Sequence, residues 1–272
     1  MDSIQLIPIA LGLISGSILG LTGAGGAIIA VPVLVFGLGL PLSQASPIAL
    51  VAVALAAGVG ALIGFRRGIL RYKAAMVLSA AGLCLSPLGL YTAQRVPNAP
   101  LTGLFSLVLL YVSITMFRLA RKELQGQPAE MACGTPCMLD QTRGKLTWTL
   151  PCFKAMLLSG MLAGFLSGLL GVGGGFVIVP ALKRFTDLPM NSIIATSLGA
   201  MTIVALGGVG IASLAGDLSW EIAWPFAIGA LMGLLVSRQF GEKIRGPHLQ
   251  QAFAVFAFAV ALSMMLSAFH LF

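Results

Sequence analysis

Apolar residues run along this chain in long unbroken blocks, and the charged positions are confined to the gaps between them. No charged residue occurs from Ser3 to Phe65, and further uncharged stretches cover 74–94, 96–117, 155–182, 188–216, 222–237 and 246–272. A helix needs about 20 apolar residues to cross roughly 30 Å of hydrocarbon. Most of the stretches fit one such helix, and the first fits three short ones. Transmembrane β-strands alternate polar and apolar positions, so continuous apolar runs predict helices. The pattern divides into ten segments, about 4–22, 25–40, 45–65, 74–93 and 100–117, then 155–170, 174–184, 190–213, 222–238 and 249–270.

Composition names the solvent. Of the 272 residues 58% are hydrophobic and 9% charged, against roughly 25% charged in a soluble domain, and mean hydropathy is +1.01. A soluble surface needs more polar side chains than this. A soluble enzyme, a nucleic-acid module and a disordered chain are excluded, and the lipid bilayer is the expected partner. The net charge of +8 does not restore a nucleic-acid reading, because the basic residues sit in short loops between segments. Asp2 is the only charge before the first segment, so no basic leader of a secretory signal is expected there.

Shifted by 148 residues, the chain matches itself without a gap. Gly12, Gly16, Gly20, Gly23, Gly25 and Gly26 fall on Gly160, Gly164, Gly168, Gly171, Gly173 and Gly174, and Pro32 and Pro41 fall on Pro180 and Pro189. The expected organisation is a first membrane repeat over 1–117, a cytoplasmic polar loop over 118–152 and a second repeat over 153–272. Loop 66–73 carries Arg66, Arg67, Arg71 and Lys73, where the second repeat has Leu214, Ala215, Ser219 and Glu221. The same loop should therefore face the cytoplasm in one repeat and the outside in the other. Arg118, Arg121, Lys122, Arg143, Lys145 and Lys154 put the long loop in the cytoplasm, and Arg238, Lys243 and Arg245 do the same for loop 238–248. The fold class is thus an all-α polytopic membrane protein of two inverted-topology repeats, the build of many secondary transporters. Each repeat has about five helical segments, one pair of them broken by glycine, for eight to ten helices in all. The 28 residues of 155–182 are too few for two full crossings. The first two segments of each repeat are expected to be shorter than a bilayer, forming either re-entrant hairpins or short crossings.

The ridges Gly12, Gly16, Gly20 and Gly160, Gly164, Gly168 have the small-xxx-small spacing that packs helices. The denser clusters Gly23, Gly25, Gly26 and Gly171, Gly173, Gly174, Gly175 read instead as helix breaks facing a ligand, with packing as the alternative. Glycine costs about 1 kcal/mol per residue inside a helix, and broken backbone at membrane depth must be buried in protein or line a cavity. The N–H groups of the half-helix that follows suit an anion. No Asp or Glu lies in the middle of any segment, which argues against a metal-cation or proton pump. A small anionic solute could be held by backbone N–H groups and by the hydroxyl or amide groups of Thr22, Ser46, Asn191, Thr196 and Ser197. Each of these could equally bond to its own helix, and Asn191 could merely cap one.

Cys84 reads as a packing residue within a segment. Cys133 and Cys137 could clip a metal or form a redox pair, but neither histidine, His248 or His270, lies near them. A reduced, tolerated loop is the expectation. No catalytic residue, metal ligand or cofactor is assigned.

The run Gly168 to Pro180, followed by Ala195-Thr196-Ser197-Leu198 and preceded by a first copy at Gly20 to Pro32, resembles the TauE/SafE family of sulfite and organosulfonate exporters. The resemblance covers nearly the whole chain. It implies a multi-pass carrier of small sulfur-containing anions in the plasma membrane, the inner membrane of a bacterium. It also implies a Thr-Ser pair in both repeats, where this chain has Ile48 and Ala49 in the first. A passive channel, a carrier of a neutral or cationic solute and a cysteine-based membrane enzyme or sensor are the competing readings. Inverted topology has a direct consequence. A single cysteine replacing Asp217 should be labelled by an impermeant reagent from outside intact cells, and one replacing Ile69 should not. Equal labelling of the two would remove the inversion.

Overall fold

The computed structural model describes residues 3–22, 25–125, 137, 139–140, 145–146, 149–216, 218–244 and 247–270. They form ten helices: α1 (Ser3–Thr22), α2 (Gly25–Leu38), α3 (Leu42–Arg66), α4 (Tyr72–Arg95), α5 (Asn98–Leu124), α6 (Leu150–Leu170), α7 (Gly175–Phe185), α8 (Met190–Ala215), α9 (Trp220–Ile244) and α10 (Pro247–His270). A two-residue pair, β1 (Leu139–Asp140) and β2 (Lys145–Leu146), lies in the connecting loop. Six helices are long and apolar enough to cross a bilayer. Leucines such as Leu62, Leu107, Leu158 and Leu206 are more than half exposed on the outer surface, as lipid-facing positions should be. Trp220 and Trp224 stack at the start of α9, the amphipathic pairing typical of a membrane–water boundary.

Glycine decides which helices touch. A Cβ on Gly12, Gly16 or Gly20 of α1 would collide with the Phe226 carbonyl, the Ala230 backbone or Ser237 and the Leu234 backbone of α9. A Cβ on Gly160, Gly164 or Gly168 of α6 would meet Leu78, Gly82 or Ser86 of α4. Shifting 78, 82 and 86 by 148 gives 226, 230 and 234, so the two contacts are the same contact in each repeat. The ridges are packing surfaces, as their spacing predicts. The remaining pairings follow the same exchange. Helices α3 and α8 pack on each other, α5 packs on α10, and α3 packs on α9 as α8 does on α4. Helices α3 and α8 run antiparallel, with Gly64 beside Ala195, Gly58 beside Thr202 and Leu50 beside Gly208. Equivalent helices running in opposite directions are compatible with inverted repeats.

Three details differ from the sequence-based expectations. Helix α6 has 21 residues and is long enough to span, because it starts at Leu150 with Pro151 in its first turn and Thr149 accepting from the Cys152 N–H. Helices α2, with 14 residues, and α7, with 11, are shorter than a bilayer at 1.5 Å per residue, as expected for the second segment of each repeat. Cys84 is exposed on α4 and does not pack. Cys137 is in a disulfide with Cys152, Cα–Cα 5.0 Å, where a reduced loop or a Cys133 pairing was expected. Its N–H donates to the Phe185 carbonyl at 3.2 Å, so the linker is docked on the ends of both α6 and α7. Cys133 lies outside the described residues, and among those described no group of three metal-binding side chains occurs.

The ridge contacts predict a contrast. Gly164→Leu should cost about 3 kcal/mol or more, the upper range for overpacking, and leave no monodisperse protein on extraction. Gly210→Leu, where a Cβ meets nothing within 4 Å, should extract and melt like the parent. Thermal melts in detergent check both.

Candidate functional site

Helix α6 stops because Gly171 takes a left-handed conformation at φ 70°, its N–H donating to the Ser167 carbonyl at 2.8 Å. Gly173 and Gly174 also have φ near 70°, a region side chains avoid. Gly174 then caps the start of α7. The turn is completely enclosed. A Cβ at Gly171 would stand 2.5 Å from the Ser46 Cα of α3, one at Gly173 2.8 Å from Val53, and one at Gly174 2.7 Å from the Ala163 carbonyl, while Gly175 abuts Met201 of α8. Broken backbone is thus buried in protein, as the hydrocarbon demands. The break exists as expected, and its glycines are also a packing device. A leucine at Gly173 would report on that packing before it reported on a ligand.

Beside the turn lies a cavity of about 700 Å³. It gathers the start of α3 (Ser43, Gln44, Ser46), the ends of α4 (Leu90) and α6 (Leu169), and Ser219 before α9. Among the described residues, no charged side chain lines it. No side chain caps the start of α3, so the positive end of that helix dipole faces the cavity.

Two buried hydroxyls near the turn lack a hydrogen-bond partner: Ser46 Oγ, on a residue that lines the cavity, and Ser167 Oγ, on one that does not. They are 6% and 1% exposed. Ser46 was a candidate from sequence. Ser167 was missed, because its mismatch with Leu19 is one of several polar–apolar mismatches between the two helices, such as Ser15 with Ala163 and Ser17 with Phe165.

The other candidates lie elsewhere. Thr196 Oγ1 accepts from the Arg71 N–H at 3.1 Å, and Ser197 Oγ donates to the Ile194 carbonyl at 2.9 Å. Both are fully buried near the start of α8, whereas the cavity gathers residues from the end of α8 and the start of α3. Asn191 is exposed in the first turn of α8. Thr22 ends α1 and Gly25 and Gly26 begin α2, and Gly23 lies outside the described residues. The structure therefore brings Gly171, Gly173, Gly174 and Gly175 together with Ser46, and leaves Thr196, Ser197 and Asn191 at a separate place.

The loop after α3 folds back over the start of α8. Ile69 and Leu70 N–H groups donate to the Gly64 carbonyl at 3.1 and 3.3 Å, and Leu70 Cδ1 lies 3.2 Å from where a Gly199 Cβ would stand. The loop related to it by the 148-residue shift carries Ser219, which lines the cavity. One end of the α3–α8 pair is thus covered and the other is open.

The family model "Sulfite exporter TauE/SafE" matches residues 8–264. A "Probable membrane transporter protein" of Xylella fastidiosa is 28% identical over 94% of this chain and 93% of its own length. YunE of Bacillus subtilis, also named a probable membrane transporter protein, is 23% identical over 88% and 89%. A Haemophilus influenzae protein of the same description is 31% identical over 41% of this chain and 45% of its own. No solved structure matches the chain. The match spans both repeats and every helix of the fold, and the chain belongs to the TauE/SafE family, a multi-pass membrane transporter of the plasma membrane.

Proposed function

We propose that this transporter is a secondary carrier of small anions, with sulfite and organic sulfonates as its substrates. The cavity carries the reading. It has the volume for a small solute and a neutral lining, and it meets both a helix break and the uncapped start of α3. A neutral, hydrogen-bonding site at positive helix ends can take an anion without the cost of a fixed counter-charge. The family description names sulfite, while the relatives' names give only transport.

The two ends of the α3–α8 pair supply the alternation. The charge pattern puts the open cavity outside, beside Ser219, and the covered end inside, beneath Arg71. Thr196 receives the Arg71 N–H and so latches the inner loop. Its counterpart Ile48 has no hydroxyl to hold the outer loop. Outward opening is the resting state of such an arrangement. Transport exchanges which loop is seated, one repeat moving against the other.

Flux of labelled sulfite into proteoliposomes tests the function. Unlabelled sulfonates, thiosulfate and a neutral amino acid serve as competitors, with and without a pH gradient. Saturable uptake inhibited by sulfur anions, with counterflow, is expected. Non-saturable flux would make it a channel, and no flux of any anion from folded protein would overturn the substrate class. For the latch, Gln44→Cys should be labelled quickly from outside and its counterpart Ser192→Cys slowly from inside. Adding Thr196→Val should speed the second several-fold, since a lost hydrogen bond shifts the equilibrium by about 1 kcal/mol. Unchanged labelling would remove the latch.

A further inference from the structure

Seven buried serines among the described residues satisfy themselves within their own helices. Ser15, Ser79, Ser106, Ser113, Ser159, Ser197 and Ser237 each donate to a carbonyl three or four residues earlier, at 2.7 to 3.1 Å. Ser46 and Ser167 do not. A buried hydroxyl without a partner costs about 1–3 kcal/mol. Two such groups flank one turn, whereas seven other buried serines use the back-bonded alternative.

Their placement names the chemistry that would satisfy them. Ser46 lies in the first turns of α3, lines the cavity and touches Gly171. Ser167 is one turn before Gly171 in α6, and its own carbonyl takes the Gly171 N–H. The repeat-related positions hold Ile194 and Leu19, so the polar pair is present on one side of the pseudo-symmetric structure only. It is the side with the cavity. The helix end beside it is positive and uncapped, which favours an acceptor carrying negative charge.

We propose that the Ser46 and Ser167 hydroxyls donate to the carried anion and are the point at which it is held. The inference rests on the transport reading and moves the binding determinants from Thr196 and Ser197 to these two serines. Gly171 keeps its place as the residue that lets Ser46 approach the turn, its missing Cβ leaving room for the Ser46 side chain.

The test uses the full chain with Ser46→Ala, Ser167→Ala and the double variant, and Ser113→Ala on α5 as a control away from the cavity. Two readouts are taken: apparent KM for sulfite in proteoliposomes, and thermal melts in detergent with and without sulfite. Each of the two serine substitutions should raise KM about tenfold, the scale of one hydrogen bond to a charged group. The melt without sulfite should stay level or rise, since an unpaired polar group has been removed, and the added stability from sulfite should shrink. Ser113→Ala should leave KM unchanged. A double variant with KM within twofold of the parent overturns the serine site and leaves the carrier standing. So does a fall in the sulfite-free melt, which would make the hydroxyls structural. Absence of saturable sulfite flux by the parent protein overturns the substrate assignment and this site with it.

Discussion

Helix backbones in direct contact are the constraint from which the rest of this structure follows. Within a bilayer, apolar side chains gain nothing by leaving lipid for protein, so helices associate where their surfaces fit closely. The glycine ridges of α1 and α6 provide that fit against α9 and α4. They also tie each repeat to the other, because the first helix of one is seated on the fourth helix of its partner. With α1 and α6 held in this way, the turn after α6 is delivered to the centre of the molecule, against α3 and α8. There its open backbone is enclosed by protein.

A symmetric scaffold then carries asymmetric chemistry. The main helix pairings are the same when the halves are exchanged, yet Thr196 faces a loop that Ile48 cannot hold, and Ser46 and Ser167 stand where the shifted positions are Ile194 and Leu19. These substitutions exchange small polar side chains for larger apolar ones. They also change which positions can form hydrogen bonds. A carrier built from two like halves needs some such difference if its two faces are to rest unequally.

Much of this was legible in the chain before any coordinates. The segment bounds, the ridges and the glycine break follow from charge gaps and glycine spacing, because lipid leaves few alternatives. The length of α6 was not legible, since Lys154 made its first turn look like loop, whereas the Thr149 cap and Pro151 start the helix earlier. The partner of Cys137 was hidden for a related reason: Cys152 belongs to that unseen first turn. The charge pattern of the linker predicts a cytoplasmic location for this disulfide, where thiols are ordinarily kept reduced. Both cysteines are fully buried, and the orientation rests on the charges of three loops. At the site, Thr196 and Ser197 attracted attention as a polar pair in an apolar run. Whether a hydroxyl is already engaged depends on loops and neighbours that no local pattern records, and Ser167 shows the converse.

The interlocking of the halves has a consequence for how the protein is made. The ridge on α1 is seated on α9 of the other half, and Gly12 precedes its neighbour Phe226 by 214 positions. At about 5–20 residues per second, roughly ten to forty seconds pass between synthesis of the one and of the other. Throughout that interval the newborn N-terminal half sits in the bilayer with a bare glycine stripe, able to clasp any small-residue helix that drifts by. Biogenesis of this transporter is therefore a problem of custody, in which the insertion machinery must keep an early helix from pairing until its late partner arrives.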